Sequence, residues 1–375
     1  MDWNDLRREC PVTARWAYFD HAAVSPLTER ARKTLNDWAT DLAENGVVHD
    51  SSRVRQIEEV RRLAGRLLNT DPLDIAFIKN TSEGIGIVAE GLPWQEGDNV
   101  VTAEDEYPAN LYPWMNLAKR GVELRRVPSR DGRILLDDLR SAMDARTRLV
   151  SLSFVEYASG FRNDLVAIGQ MCHEKGVLFC VDAIQGLGVI PLDVQQAPID
   201  FLAADGHKWL LGPEGAGLFW VRRESIEQLH PVGVGWNSVM DSRNFGRIDF
   251  RLKPHAGRWE SGSLNVGGIL ALGASLELLL AIGINAVWQR VESLTDYLCE
   301  RVERLGHTVY SSRLPNEKSG IVSIVLPGDV RDFVRRCRDA GIVVNNRAGR
   351  LRVSPHAYNT SEELDRLVEL LGAWS

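Results

Sequence analysis

Leu178-Phe179-Cys180-Val181-Asp182-Ala183-Ile184-Gln185 and Phe201-Leu202-Ala203-Ala204-Asp205-Gly206-His207-Lys208-Trp209 are two short apolar runs, each ending on residues capable of chemistry. Runs of this length read as strands buried on both faces. Similar runs stand at 75–78, 99–102, 149–154 and 218–221, with helical stretches between them. That alternation predicts a mostly parallel central sheet covered by helices, a three-layer α/β sandwich.

Working outward, the N-terminal part is helical: Ala31, Leu35, Trp38, Ala39 and Leu42 recur at helical spacing, as do Val54, Ile57, Val60, Ala64 and Leu67. A long apolar helix is expected at 268–282, carrying Glu277 and so buried rather than membrane-spanning. Beyond it, strands at 307–311, 321–326, 342–345 and 351–354 and helices at 330–340 and 361–371 form a smaller α/β unit. The 375 residues are too many for one ordinary core. The expected division is an N-terminal segment at 1–49 packing on the small unit, a large domain at 50–265 and a small C-terminal domain at 266–375.

A net charge of −7 without a Lys/Arg run argues against a nucleic-acid or membrane-surface partner. Five sparse cysteines with no CxxC pair read as reduced thiols of a cytoplasmic protein. The acids in Met1-Asp2-Trp3-Asn4-Asp5 do not resemble a secretory leader. Eight histidines show no metal-ligand spacing, so no metal is expected.

In open α/β sheets ligands bind at the carboxyl ends of strands. Three such ends carry functional groups. Asp182 ends one, and Lys208 follows another. The run at 75–78 leads into Asn80-Thr81-Ser82-Glu83-Gly84, a helix start whose free N–H groups and hydroxyls suit a phosphate. An amine, an acid and a phosphate cradle fit pyridoxal 5′-phosphate: Lys208 forms an imine, and Asp182 pairs with the pyridinium nitrogen. A competing reading uses Gly84-x-Gly86-x-x-Ala89 as the dinucleotide fingerprint of a NAD-binding oxidoreductase. Asn80, Thr81, Ser82 and Glu83 intervene before Gly84, whereas that fingerprint needs its first glycine in the turn.

Taken in order, these segments resemble the class V aminotransferase family of fold-type I pyridoxal-phosphate enzymes, which includes cysteine desulfurases, selenocysteine lyase and isopenicillin N epimerase. The resemblance runs from Tyr18-Phe19-Asp20-His21-Ala22-Ala23 through Asn80-Thr81-Ser82, Glu106-Tyr107-Pro108-Ala109-Asn110, Val181-Asp182-Ala183-Ile184-Gln185, Gly206-His207-Lys208-Trp209 and Trp259-Glu260-Ser261-Gly262-Ser263-Leu264-Asn265 to Arg352-Val353-Ser354-Pro355-His356. It implies Lys208 as the Schiff-base lysine and proton shuttle, and Asp182 at the ring nitrogen. Gln185 would meet the phenolic oxygen, and Thr81, Ser82 and His207 the phosphate. Tyr107 would stack on the cofactor. Arg352 would bind the substrate carboxylate, with His21 and Ala23 on the substrate side. A homodimer is implied too, with Ser263 reaching the partner subunit's cofactor.

The chain departs from the desulfurase pattern in three places. No cysteine lies between Gly341 and Arg352, where desulfurases carry a nucleophile, and Cys337 falls within an expected helix. Asp205 replaces a phosphate-binding hydroxyl, so its carboxylate is expected to turn away from the phosphate. Glu156 or Tyr157 stands near the place of an asparagine beside the cofactor oxygen. Amino transfer at the Cα of an amino acid or amine is therefore the first expectation. Carbon–sulfur lyase or desulfurase chemistry and epimerisation are the alternatives.

Overall fold

A computed structural model gives the fold for residues 2–374; Met1 and Ser375, at the ends of the expected first and last segments, lie outside the described residues. Helix α1 (Trp3–Arg8), strand β1 (Ala17–Tyr18) and helices α2 (Glu29–Asn45) and α3 (Asp50–Leu68) come first. There follow β2 (Ile75–Ile78), α4 (Thr81–Gly91), β3 (Asn99–Ala103), α5 (Tyr112–Met115), β4 (Glu123–Val127), α6 (Leu136–Ala142), β5 (Thr147–Ser153), α7 (Leu165–Glu174), β6 (Leu178–Asp182), β7 (Phe201–Asp205) and β8 (Gly217–Val221). The C-terminal part holds α8 (Val266–Ile282), α9 (Ile284–Arg304), β9 (Thr308–Val309), β10 (Val322–Val325), α10 (Val330–Asp339), β11 (Ile342–Val343), β12 (Asn345–Arg347), β13 (Arg350–Val353) and α11 (Ser361–Gly372).

Strands β2 to β8 form a seven-stranded sheet in the order β2-β8-β7-β6-β5-β3-β4. Six run in one direction, and β8 is antiparallel to both its neighbours. The apolar runs are continuous because both faces are covered. Phe201 and Ala203 point into one core cluster and Leu202 and Ala204 into the other, as the period of two in a strand requires. Strand β4 was not expected from the sequence: Glu-Leu-Arg-Arg-Val is an edge strand whose exposed charges hide its pattern.

The smaller sheet is antiparallel, ordered β12-β13-β10-β9, with Val322, Ile324, Leu351 and Val353 in its core. The start of the chain is stitched to its end. Strand β1 pairs with β11, and Arg7 binds Glu363 at 2.8 Å. Helix α2 lies on α8, where Gly267 leaves room for the Trp38 ring: a Cβ there would sit 2.5 Å from it. No single helix among the described residues is long and apolar enough to cross a membrane.

Candidate active site

Lys208 stands three residues beyond the end of β7, in a loop closed by Gly212 N–H donating to the Gly206 carbonyl at 2.9 Å. The loop holds the buried Leu211 at φ 57°, a left-handed conformation that costs an ordinary side chain about 1–2 kcal/mol. Burial lowers the Lys208 ammonium to about 8, against the opposing pull of Asp182. Asp182 closes the neighbouring β6 and is 2% exposed. Burial raises its carboxyl to about 6, while the Ile184 N–H and the Lys208 charge hold it down.

Gln185 is fixed from two sides. Its Oε1 accepts from the Trp209 indole at 3.1 Å, and its Nε2 donates to the Ala22 carbonyl at 3.0 Å. One amide hydrogen remains. Through Trp209 this side chain also anchors the loop that carries Lys208.

The third strand end behaves as its composition predicts. Asn80 caps α4 by accepting from Glu83 N at 2.9 Å, so Thr81 and Ser82 occupy the first turn, whose N–H groups a helix leaves unbonded. The Thr81 hydroxyl accepts from Asp205 N at 3.1 Å. Asp205 keeps its oxygens on His207 Nδ1 (2.8 Å) and Gly206 N (2.7 Å), which turns the other ring nitrogen of His207 free of it. Gly84 and Gly86 lie inside α4 rather than in a strand–helix turn. Gly84 is there because α4 lies close against the sheet: a Cβ would sit 2.5 Å from that of Ala203. The dinucleotide reading of this segment therefore lacks its turn.

Arg352, 1% exposed, donates to Asp20 Oδ1 at 3.1 Å and to the Tyr157 carbonyl at 3.0 Å, and its Nε is buried without a partner. A cavity of about 350 Å³ gathers Ala23, Thr81, Ser82, Tyr107, Asp182, Gln185, His207, Lys208 and Arg352. Larger clefts of about 590 and 860 Å³ elsewhere carry no lysine, and one of about 770 Å³ carries Lys253. The Lys208 ammonium lies 5.6 Å from the Tyr107 ring centre, and Tyr107 meets Tyr157 edge to face at 5.2 Å.

Two expected residues are not in this cavity. His21 is sealed beneath it, bonded to the Ser354 carbonyl at 2.8 Å and the Tyr358 hydroxyl at 2.7 Å, and burial lowers its pKa well below the usual histidine range. Its aromatic neighbours Trp209, His356 and Tyr358 close it off from substrate. Ser263 is exposed at the surface and does not line the cavity.

Of Glu156 and Tyr157, expected near the cofactor oxygen, Tyr157 lines the cavity. Three other residues were not expected at the site: Arg347 lines the cavity, Asp20 holds Arg352, and Glu106 is buried close to Asp182. Glu106 accepts from the Ser153 N–H and hydroxyl, both at 2.6 Å. Burial, with the nearby Asp182 charge, raises its carboxyl to about 8. Arg347 gave no signal, because it stands five positions before Arg352 on the other strand of a turn that the sequence does not announce, and a lone glutamate before Tyr107 gave none for Glu106. All five cysteines are buried and none lines the cavity. Cys337 lies within α10, and burial raises it to about 12, as its helical setting predicts.

The sequence model of the family described as Aminotransferase class-V matches residues 17–367. A probable cysteine desulfurase of Methanothermobacter thermautotrophicus is 31% identical over 99% of this chain and 98% of its own length. A cysteine desulfurase of Escherichia coli is 30% identical over 97% and 96%. Among solved structures, the apo cysteine desulfurase of Thermococcus onnurineus superposes with a TM-score of 0.91 at 26% identity, covering 99% of this chain and 97% of that one. The cystine C–S lyase C-DES, in complex with cysteine persulfide, shares the fold with a TM-score of 0.91 at 23% identity over 97% and 99%.

Proposed function

Because the chain belongs to the class V aminotransferase family, we propose that it is a pyridoxal-phosphate enzyme that breaks the carbon–sulfur bond of a cysteine-type amino acid by β-elimination. The residues fit the cofactor. The first turn of α4 offers unbonded N–H groups and two hydroxyls to a phosphate, and Gln185 has one amide hydrogen left for the phenolic oxygen. Asp182 holds a proton at the ring nitrogen. When bound, pyridoxal phosphate supplies an electron sink for a bond broken at Cα.

Lys208, with its ammonium already depressed toward neutrality, takes and returns the Cα proton. Arg352, which lines the cavity and keeps its buried Nε unpartnered, would receive the substrate α-carboxylate. Asp20 and the Tyr157 carbonyl hold that guanidinium in place. The observation that carries elimination is the placement of the thiols. All five are buried away from the cavity, so no protein sulfur is positioned to attack a substrate sulfur. The substrate sulfur then leaves with both electrons of the Cβ–S bond, and hydrolysis of the remainder gives pyruvate and ammonia.

Amino transfer, the first expectation from the sequence, has less support: the relatives carry desulfurase names. The test is product identification with L-cysteine and S-substituted L-cysteines, with and without a keto-acid acceptor. Pyruvate, ammonia and free thiol are expected. Alanine with a protein-bound persulfide would mean a desulfurase, and transfer that depends on the keto acid would mean an aminotransferase. A homodimer belongs to the same reading. Ser263 is exposed outside its own cavity, as a residue serving the partner subunit's cofactor must be.

A further inference from the structure

Resting on that reading, we propose that Arg347 forms a second anion subsite and that the substrate carries an anionic group on its β-substituent, as in S-sulfo-L-cysteine. Strands β12 and β13 form a hairpin turned by Ala348 (φ 49°) and Gly349 (φ 74°). A two-residue turn with both φ positive matches the strand twist and fixes the register tightly. In that register Asn345 faces Arg352 and Arg347 faces Arg350. Residues directly opposite in an antiparallel ladder share a face. Leu351 and Val353 therefore point into the core, leaving the polar set on the other side. Arg350 leaves the cavity by stacking on Tyr310 at 3.8 Å and bonding Ser323 Oγ at 3.1 Å. Arg347 and Arg352 remain as cavity-lining guanidiniums.

Their charges are balanced differently. Arg352 has Asp20. Arg347 donates only to neutral acceptors of its own hairpin, Asn345 Oδ1 at 2.8 Å and the Asn346 carbonyl at 2.9 Å, and pairs with no carboxylate among the described residues. Glu214 at the cavity rim is exposed and forms no ion pair with it. An α-carboxylate at Arg352 therefore leaves one guanidinium and its unspent donors for a second anion. A planar guanidinium suits a sulfonate or carboxylate through paired N–H donors.

With S-sulfo-L-cysteine, Lys208 takes the Cα proton and the Cβ–S bond breaks toward sulfur. Thiosulfate leaves on Arg347, and one water converts the rest to pyruvate and ammonia. No oxidant or reductant is consumed.

The binding test uses two inert acids, 3-sulfopropanoate and butanoate, with the cofactor-loaded enzyme. By calorimetric competition the wild type should prefer the sulfonate by at least about tenfold, the usual worth of a charge-assisted pair. Arg347→Gln should cut that preference to within about twofold, and Arg347→Lys, which keeps the charge, should retain part of it. An unchanged preference in Arg347→Gln, or none in the wild type, overturns the proposal. In turnover, the loss of kcat/KM in Arg347→Gln should be at least about tenfold larger for S-sulfo-L-cysteine than for S-methyl-L-cysteine; an equal fall for both also counts against it. Loss of the binding preference with no pyruvate from either amino acid would leave the anion subsite standing and sink the elimination reading.

Discussion

At the scale of single residues the site rests on buried charges. Lys208→Ala removes the shuttle base, and turnover should fall by at least about a hundredfold. Residual activity above a few per cent on the true substrate would exclude Lys208 from that role. Glu106 gives a pH signature of its own. Burial raises its folded carboxyl from the ordinary 4.5 to about 8, and the neighbouring buried Glu156, raised by burial and by the Glu106 charge, shares that titration. Between those values the folded state holds the extra proton, so stability falls as pH rises through that window. Glu106→Gln keeps the shape and the two contacts with Ser153 but cannot ionise. Its melting temperature should lose less than the wild type's between pH 5 and 8, and parallel curves would refute the assignment. The sequence exposed Lys208 and Asp182 because each follows an apolar run that marks a strand. It did not expose Asp20 or Glu106, whose roles depend on side chains more than forty positions away.

At the scale of elements, helix α4 shows why a motif needs its context. Gly84 and Gly86 match a dinucleotide fingerprint in spacing, yet they do different things. Gly84→Ala places a methyl 2.5 Å from the Ala203 Cβ and 2.9 Å from Ile78 Cδ1. It should destabilise by about 1–3 kcal/mol and weaken cofactor retention, because the helix start moves with the helix. Gly86 has no atom within 4 Å of its would-be Cβ. Gly86→Ala should gain up to about 1 kcal/mol from helix propensity. Thermal melting and cofactor release of the two variants separate packing from phosphate binding; equal effects would contradict this account. The buried strands were legible for the same reason that β4 was not: continuous apolar runs announce strands covered on both faces, and a charged edge strand announces nothing. Of the small-unit strands, β10 and β13 were legible, but the run expected at 342–345 is divided between β11, which pairs with β1, and β12, whose hairpin at Ala348-Gly349 lacks an Asn-Gly or Asp-Gly signal.

At the scale of the whole molecule, one surface is conspicuously apolar: Phe245 is 74%, Ile248 95% and Phe250 72% exposed. This segment precedes Ser263 closely in the chain, and a second copy covering both is the arrangement that the proposed dimer would require. Light scattering should report twice the chain mass at working concentration, and Ile248→Asp should shift it toward the monomer with loss of cofactor. A fully active monomer would refute it. The stitching of the chain's start to its end also bears on how the molecule is made. The bond from Arg352 to Asp20 joins residues 332 positions apart. At about 5–20 residues per second a ribosome takes roughly 20–65 s to cover that distance. Every strand of the large sheet has been translated well before Arg352 exists, so Thr81, Asp182 and Lys208 leave the ribosome long before the substrate anchor does. A chain interrupted late in translation thus has no cation to seat a carboxylate at this point, and Asp20 spends most of synthesis as a carboxylate waiting for its partner.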